Sequence, residues 1–200
     1  LAVSFDTPDG AVEAVRGVSF DVRVGRTLGI VGESGSGKSV TTQAIVGLTR
    51  GARITGQALF QGRELLAMPE GQLRDIRGRG IAMIFQNPMS SLHPLYPIGW
   101  QIVEMIRAHE PVPRARAHAR AIELLGHVGI PRPERRVNDY PHQYSGGMQQ
   151  RAMIAMAIAL NPRILVADEP TTALDVTVQA QILRLLRRLQ QEHGMAIIMI

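Results

Sequence analysis

The sequence predicts an α/β domain built around a glycine-rich loop, and three stretches predict it. Gly32-Glu33-Ser34-Gly35-Ser36-Gly37-Lys38-Ser39 fits G-x-x-x-x-G-K-[ST]. It lies between an apolar run, 27–31, that reads as a short buried strand and a segment, Val40 to Leu48, with Ala44, Ile45 and Leu48 at helical spacing. The runs Gly80–Phe85 and Arg163–Ala167 read as buried strands that end on polar side chains, Gln86 and Asp168-Glu169. In an open α/β sheet, ligands gather at the carboxyl ends of strands.

The remaining elements follow in chain order. Leu1–Phe5 alternates like a strand, Thr7-Pro8-Asp9-Gly10 is a turn, and Val12–Val24 continues as strand with its clearest alternation after Val18. The N-terminal part therefore reads as an antiparallel β layer leading into the core. Gly51–Gly62 reads as a turn and a strand, and Leu65–Ile76 as a short amphipathic helix. From about 88 to 142 prolines become frequent, and two helices are expected at Ile98–His109 and Arg114–Val128. The second buries Ala117, Ala121, Leu124, Leu125 and Val128 and leaves Arg116 and Arg120 outside. This is a helical subdomain inserted in a single domain spanning 1–200. Ser145 caps a helix that Asn161-Pro162 stops, and a long helix runs from Val176 to Glu192 until Gly194 ends it. Met195–Ile200 is the last buried strand. His93, His109, His118 and His127 show no metal-like spacing.

Composition bounds the function. The chain has 200 residues, 45% hydrophobic and 20% charged, as in an ordinary globular domain. It has no cysteine, so disulfides, thiolate metal sites and a cysteine nucleophile are excluded within it. The net charge of +5 comes from arginines scattered along the chain, which read as a solvated surface, and no nucleic-acid partner is expected. No apolar run approaches the roughly 20 residues of a membrane span. The chain starts at Leu1 and stops inside an apolar run at Ile200, so both ends are expected to be cuts in a longer protein.

The chemistry of the motifs is that of a nucleoside triphosphate. Small residues let the loop backbone curl around a phosphate chain while the helix N-terminus adds its positive dipole end. Lys38 is the sole lysine of the chain and stands where a compact ammonium on a flexible stem suits the β- and γ-phosphates. The Ser39 hydroxyl is placed for Mg²⁺. Asp168 is placed to orient the Mg²⁺ shell, and Gln86 to reach the metal or an attacking water. Glu169, on the opposite side of the strand, is left to polarise that water. Ser145-Gly146-Gly147 forms a second anion-receiving helix start. Phe5 reads as core packing or as a ring stacked on a nucleobase.

In this order and spacing the motifs resemble those of ABC transporter ATP-binding subunits over the whole chain. Tyr144-Ser145-Gly146-Gly147-Met148 stands at the signature motif, Ile164–Asp168 at Walker B, and Ala173-Leu174-Asp175 at the D-loop. Phe85–Leu92, Met148 and Thr171–Thr177 are similar to the dipeptide and oligopeptide importer subgroup. Tyr144 replaces a more usual leucine, and His93-Pro94 stands where many relatives have Asn-Pro. The resemblance implies a P-loop NTPase (RecA-like) core and MgATP hydrolysis with Glu169, Lys38 and Gln86 catalytic. ATP would be held by Phe5, Gly32, Ser34, Gly35, Ser36, Gly37, Lys38 and Ser39. It would be completed by Ser145, Gly146, Gly147 and Asp175 of a head-to-tail second subunit. The metal ligands would be Ser39, Gln86 and Asp168. The resemblance also implies permease subunits, an indirectly coupled solute-binding protein, and a peripheral position on the cytoplasmic face of the membrane. The family's switch histidine falls just after Ile200. Rival readings are a DNA-repair or chromosome-maintenance ATPase, a ribosome-associated ATPase of the same type, and a P-loop kinase. The first needs a long coiled coil between the P-loop and Ser145, the second a tandem pair of such domains, and the third an acceptor pocket.

Overall fold

The computed structural model describes residues 1–8, 10–172 and 174–200, with Met89 and Ser90 described in their backbone alone. Asp9 of the first expected turn and Ala173 of the 173–175 motif lie outside the described residues. Two sheets organise the chain. β1 (Ala2–Thr7) pairs antiparallel with β2 (Gly10–Val15) and with β4 (Ala52–Thr55), in the order β2-β1-β4. β3 (Thr27–Gly29), β7 (Ile81–Ile84), β8 (Ile164–Ala167) and β9 (Ala196–Met199) form an all-parallel sheet in the order β3-β9-β8-β7. A small hairpin, β5 (Leu59–Phe60) and β6 (Arg63–Glu64), joins them.

The parallel strands carry runs such as Ile-Leu-Val-Ala because helices cover their faces. α1 (Lys38–Ile45) follows the glycine loop and α2 (Glu70–Ile76) precedes β7. α3 (Pro88–Ser91), α4 (Ile98–His109), α5 (Arg114–His127) and α6 (Pro133–Arg136) form the helical insert. α7 (Gly146–Ile158) and α8 (Val176–His193) return to the core. On α8, Ile182, Leu185, Leu186 and Leu189 recur at i, i+3, i+4 and i+7 and are all buried. One hydrophobic cluster runs from Ile98, Ile102 and Ile106 of α4 through Leu125 of α5 and Ile154 of α7 to Leu165 of β8. The insert is therefore continuous with the core and has no separate one.

Four readings from sequence need correction. Val18–Val24 is no strand: beyond reciprocal backbone bonds between Leu1 and Val18 it finds no ladder partner among the described residues, and Val24 is 88% exposed. The run 27–31 is not buried, because β3 is the edge of its sheet and pairs with β9 alone. The helix expected from Leu65 starts only at Glu70, since Pro69 is extended and serves as the N-cap. Arg120 is half-buried and not a free surface cation. It pairs with Glu110 at 2.7 Å and donates to the carbonyl of Ala159, tying α5 to the end of α7.

Candidate nucleotide site

Parallel pairing brings the carboxyl ends of β3, β7 and β8 to one edge of the sheet, and the loops that follow them meet there. After β3 comes the glycine loop. Gly37 is the N-cap of α1 with φ 85°, a left-handed conformation that favours glycine. A Cβ at this position would stand 2.2 Å from the carbonyl oxygen of Ala14 in β2, so the antiparallel sheet buttresses the loop directly. Gly32 is similarly close to the Ser36 hydroxyl, whereas Gly35, at φ 79°, has open space around it. The Lys38 ammonium folds back over the loop and donates to the carbonyls of Gly32 at 2.9 Å and Glu33 at 2.7 Å. Ser34 lies on the exposed outer turn of the same loop.

α1 also fixes Ser39, whose hydroxyl donates to Asp168 Oδ1 at 2.8 Å across the sheet. Asp168 is only 2% exposed, and burial is the main cause that pushes its pKa up, with Glu169 adding repulsion and Ser39 and Lys38 opposing it. A buried carboxylate beside a hydroxyl is an oxygen-rich pair that a hard cation would suit, so the residues fit Mg²⁺.

Glu169 is one of four non-glycine residues with positive φ among those described, at 44°. Such strain persists where neighbours over-determine it. Here Gln86 Nε2 donates to Glu169 Oε2 at 2.7 Å, and the Thr172 hydroxyl donates to the same oxygen at 3.0 Å. The Glu169 amide is held by the carbonyl of Ile200 at 3.1 Å. Gln86 and Glu169, read separately from sequence, are thus in direct contact. Thr172 was not singled out there, and its three-residue spacing from Glu169 was the available signal.

The remaining candidates stand apart. Ser145 caps α7 by accepting from the Met148 amide at 3.4 Å, and Asp175 caps α8 by accepting from the Val178 amide at 3.0 Å. These two helix starts pack together: a Cβ on Gly147 would stand 3.0 Å from Val178 Cγ1, and one on Gly146 would meet Leu174. No hydrogen bond or ion pair among the described residues links Ser145–Gly147 to the loop 32–39. Tyr144, in place of the more usual leucine, is buried, and its hydroxyl donates to the carbonyl of Arg136. Phe5 is half-buried in β1 between Val12 and Ala52, against the cluster of Val3, Val15 and Ala44.

A glycine loop between an edge strand and its helix, bonded across a parallel sheet to an acidic strand end, defines the class: a P-loop NTPase. The chain belongs to the ABC transporter family, whose model, described as "ABC transporter", matches residues 15–172. It is 54% identical over 203 residues to the oligopeptide transport ATP-binding protein OppD of Bacillus subtilis, and 52% over 201 residues to OppD of Escherichia coli K12. It is also 54% identical over 203 residues to the dipeptide transport ATP-binding protein DppD of Lactococcus lactis. All of this chain is matched, and it spans 57%, 60% and 58% of those relatives respectively. Among solved structures, the ATP-binding cassette MJ0796, in a dimeric post-hydrolysis state with ADP and Pi, superposes with a TM-score of 0.87 at 29% identity. That match covers 99% of this chain and 84% of the other.

Proposed function

We propose that this chain is the nucleotide-hydrolysing part of an ATP-binding subunit that powers peptide import. The observation that carries it is the meeting of Glu169 with Gln86 next to the Ser39–Asp168 pair, at the strand ends beside the glycine loop. The relatives named for oligopeptide and dipeptide transport support the substrate class. In this reading Lys38 leaves the carbonyls of Gly32 and Glu33 for the β- and γ-phosphates, and the 32–39 backbone cradles them. Ser39, Asp168 and Gln86 would hold Mg²⁺, which would supply charge neutralisation on the phosphates. Glu169, aimed by Gln86 and Thr172, polarises the attacking water, and Phe5 flanks the adenine. Catalysis is positioning and electrostatics.

A second subunit completes the site, presenting its Ser145–Gly147 helix start to the γ-phosphate while Asp175 makes contact across the interface. Two features support this. The Ser145–Gly147 start has no bond to the loop of its own chain, and Val31 and Val176, beside the two half-sites, are 94% and 80% exposed. The dimeric form of the MJ0796 cassette is consistent with it. The permease partner is assigned to the insert, where Leu95, Tyr96 and Tyr140 are exposed and Pro94, Leu95, Tyr140, His142 and Gln143 line a depression. No helix among the described residues is long and apolar enough to cross a membrane. By the relatives named as transport ATP-binding proteins, the subunit would sit peripherally on the cytoplasmic face, with a solute-binding protein coupled through the permease. A chromosome-maintenance ATPase is disfavoured, since α4 and α5 are only 12 and 14 residues long and form no extended coiled coil.

The test is Glu169→Gln in the full-length subunit, assembled with its permease in proteoliposomes. ATP binding is expected to persist while hydrolysis falls by about 10²–10³-fold, the loss of one preorganised charge-stabilising group. Uptake of a labelled oligopeptide is expected to stop with it. Wild-type turnover by the variant would remove Glu169 from its role. ATP hydrolysis without uptake of any peptide by the wild type would overturn the substrate class.

A further inference from the structure

His127, Glu192 and His193 form the one group of three candidate metal ligands found among the described residues, with their donor atoms within 4.8 Å of one another. Nothing in the nucleotide chemistry uses them. His127 ends α5 and His193 ends α8, so two helix C-termini converge here and each brings partial negative charge. His127 Nε2 lies 2.7 Å from Glu192 Oε2, and the two imidazole rings are 6.0 Å apart between centroids. His193 Nε2 is shut off from solvent and has no hydrogen-bond partner, an orphaned polar atom that a nearby cation would offset.

We propose that these residues form a binding site for a divalent transition-metal ion of the Zn²⁺ type, fastening the helical insert to the core. Two imidazoles and a carboxylate are the borderline donor set such ions prefer, with a fourth position left to water. Tetrahedral bonds of about 2.0–2.1 Å place ligand atoms about 3.3 Å apart. The His127–Glu192 pair must open slightly, and the other pairs must close by no more than roughly 1.5 Å, which side-chain rotamers allow. The ion takes the place of the direct contact between His127 and Glu192. Arg188 is the opposing charge: its Nε lies 3.7 Å from Glu192 Oε1, and its Nη2 donates to the carbonyl of His127. The metal competes for the carboxylate while Arg188 keeps the end of α5 in place. α8 rises about 1.5 Å per residue, which sets the cluster on the order of 25 Å from Asp175 and clear of the nucleotide.

The experiment is a Co²⁺ titration of the full-length, metal-stripped protein without nucleotide, followed by visible absorption and by Zn²⁺ displacement. One equivalent is expected to give a ligand-field band that Zn²⁺ removes, and Zn²⁺ is expected to raise the unfolding midpoint. His127→Ala and His193→Ala are each expected to weaken Co²⁺ binding by at least about tenfold, and His118→Ala on the same helix to leave it unchanged. The near-isosteric Glu192→Gln is expected to weaken binding by a comparable factor. It carries the test if an alanine variant does not fold. Wild-type affinity in the His127→Ala/His193→Ala double variant or in Glu192→Gln would overturn the site. So would the absence of any Co²⁺ band in the wild type.

Discussion

Gly37→Ala tests whether the N-terminal sheet holds the glycine loop in shape. Two costs apply. Alanine at φ 85° is in the left-handed region, worth about 1–2 kcal/mol. Its Cβ would stand 2.2 Å from the Ala14 carbonyl, so loop or strand must retreat by about 1 Å, an overpacking cost of about 1–3 kcal/mol. Together these predict a loss of about 3 kcal/mol and, for a chain of this size, a fall of about 6–12 °C in the nucleotide-free unfolding midpoint. Gly35→Ala is the matched control, since Gly35 has φ 79° and open space around it. It should lose only the torsional cost, about 1–2 kcal/mol. The assay is thermal unfolding of the full-length variants without nucleotide, then titration with a fluorescent ATP analogue. ATP affinity should fall further for Gly37→Ala, because moving the loop misaligns several amides at once. Equal destabilisation by the two variants would refute the claim that β2 buttresses the loop.

Two further outcomes follow from buried ionisable groups. Burial raises the pKa of Asp168, so its native form binds a proton more tightly than the unfolded chain, whose ordinary value is 3.8. Stability is then greatest below that value and falls as pH rises through the native pKa. Asp168→Asn should therefore raise the unfolding midpoint at neutral pH while abolishing Mg²⁺-dependent ATP turnover, and a lowered midpoint would contradict this. Burial, with Asp139 adding repulsion, pushes the Tyr144 hydroxyl from 10.0 up to about 12. Native stability should accordingly drop by about 2–3 kcal/mol as pH climbs between those values. Tyr144→Phe should flatten that drop and cost about 1 kcal/mol at neutral pH for the lost bond to the Arg136 carbonyl, both read from urea midpoints across pH.

The sequence was most readable where one physical signal was sustained. The stripes on α4, α5 and α8 repeat over three or more turns, and their ends carry Pro97, Pro113 and Gly194, so both type and extent follow from pattern. Val18–Val24 alternates just as well, yet strand formation needs a partner that a local pattern does not encode. The site divides the same way. The glycine loop and the acidic strand end are contiguous motifs. The bond from Ser39 to Asp168 joins residues 129 positions apart, and that from Gln86 to Glu169 joins residues 83 apart. The positive φ at Glu169 and the approach of Ala14 to Gly37 are consequences of packing with no local signature. The His127, Glu192 and His193 group was missed for the same reason, because the chain spacing of the histidines has no metal-like period while the fold closes two helix ends on each other.

The three helix starts among the candidate residues differ in how their first amides are satisfied, and the difference orders the roles proposed for them. Gly37 has no side chain to cap α1, so the positive end of that helix is left for a ligand anion. Asp175 caps α8 at 3.0 Å with a carboxylate, which satisfies the helix and repels phosphate, and so suits contact with a neighbouring chain more than contact with ATP. Ser145 lies between these cases: it caps α7 with a neutral hydroxyl at 3.4 Å, long for a hydrogen bond. A loose, neutral cap gives up its amide to a phosphate oxygen at small cost, and Gly146 and Gly147 put no side chain in the way of the approach. By this reasoning the glycine loop can bind the phosphates within one chain. In the two-subunit arrangement proposed above, the Ser145–Gly147 start would engage them later and from another chain, so that binding precedes closure.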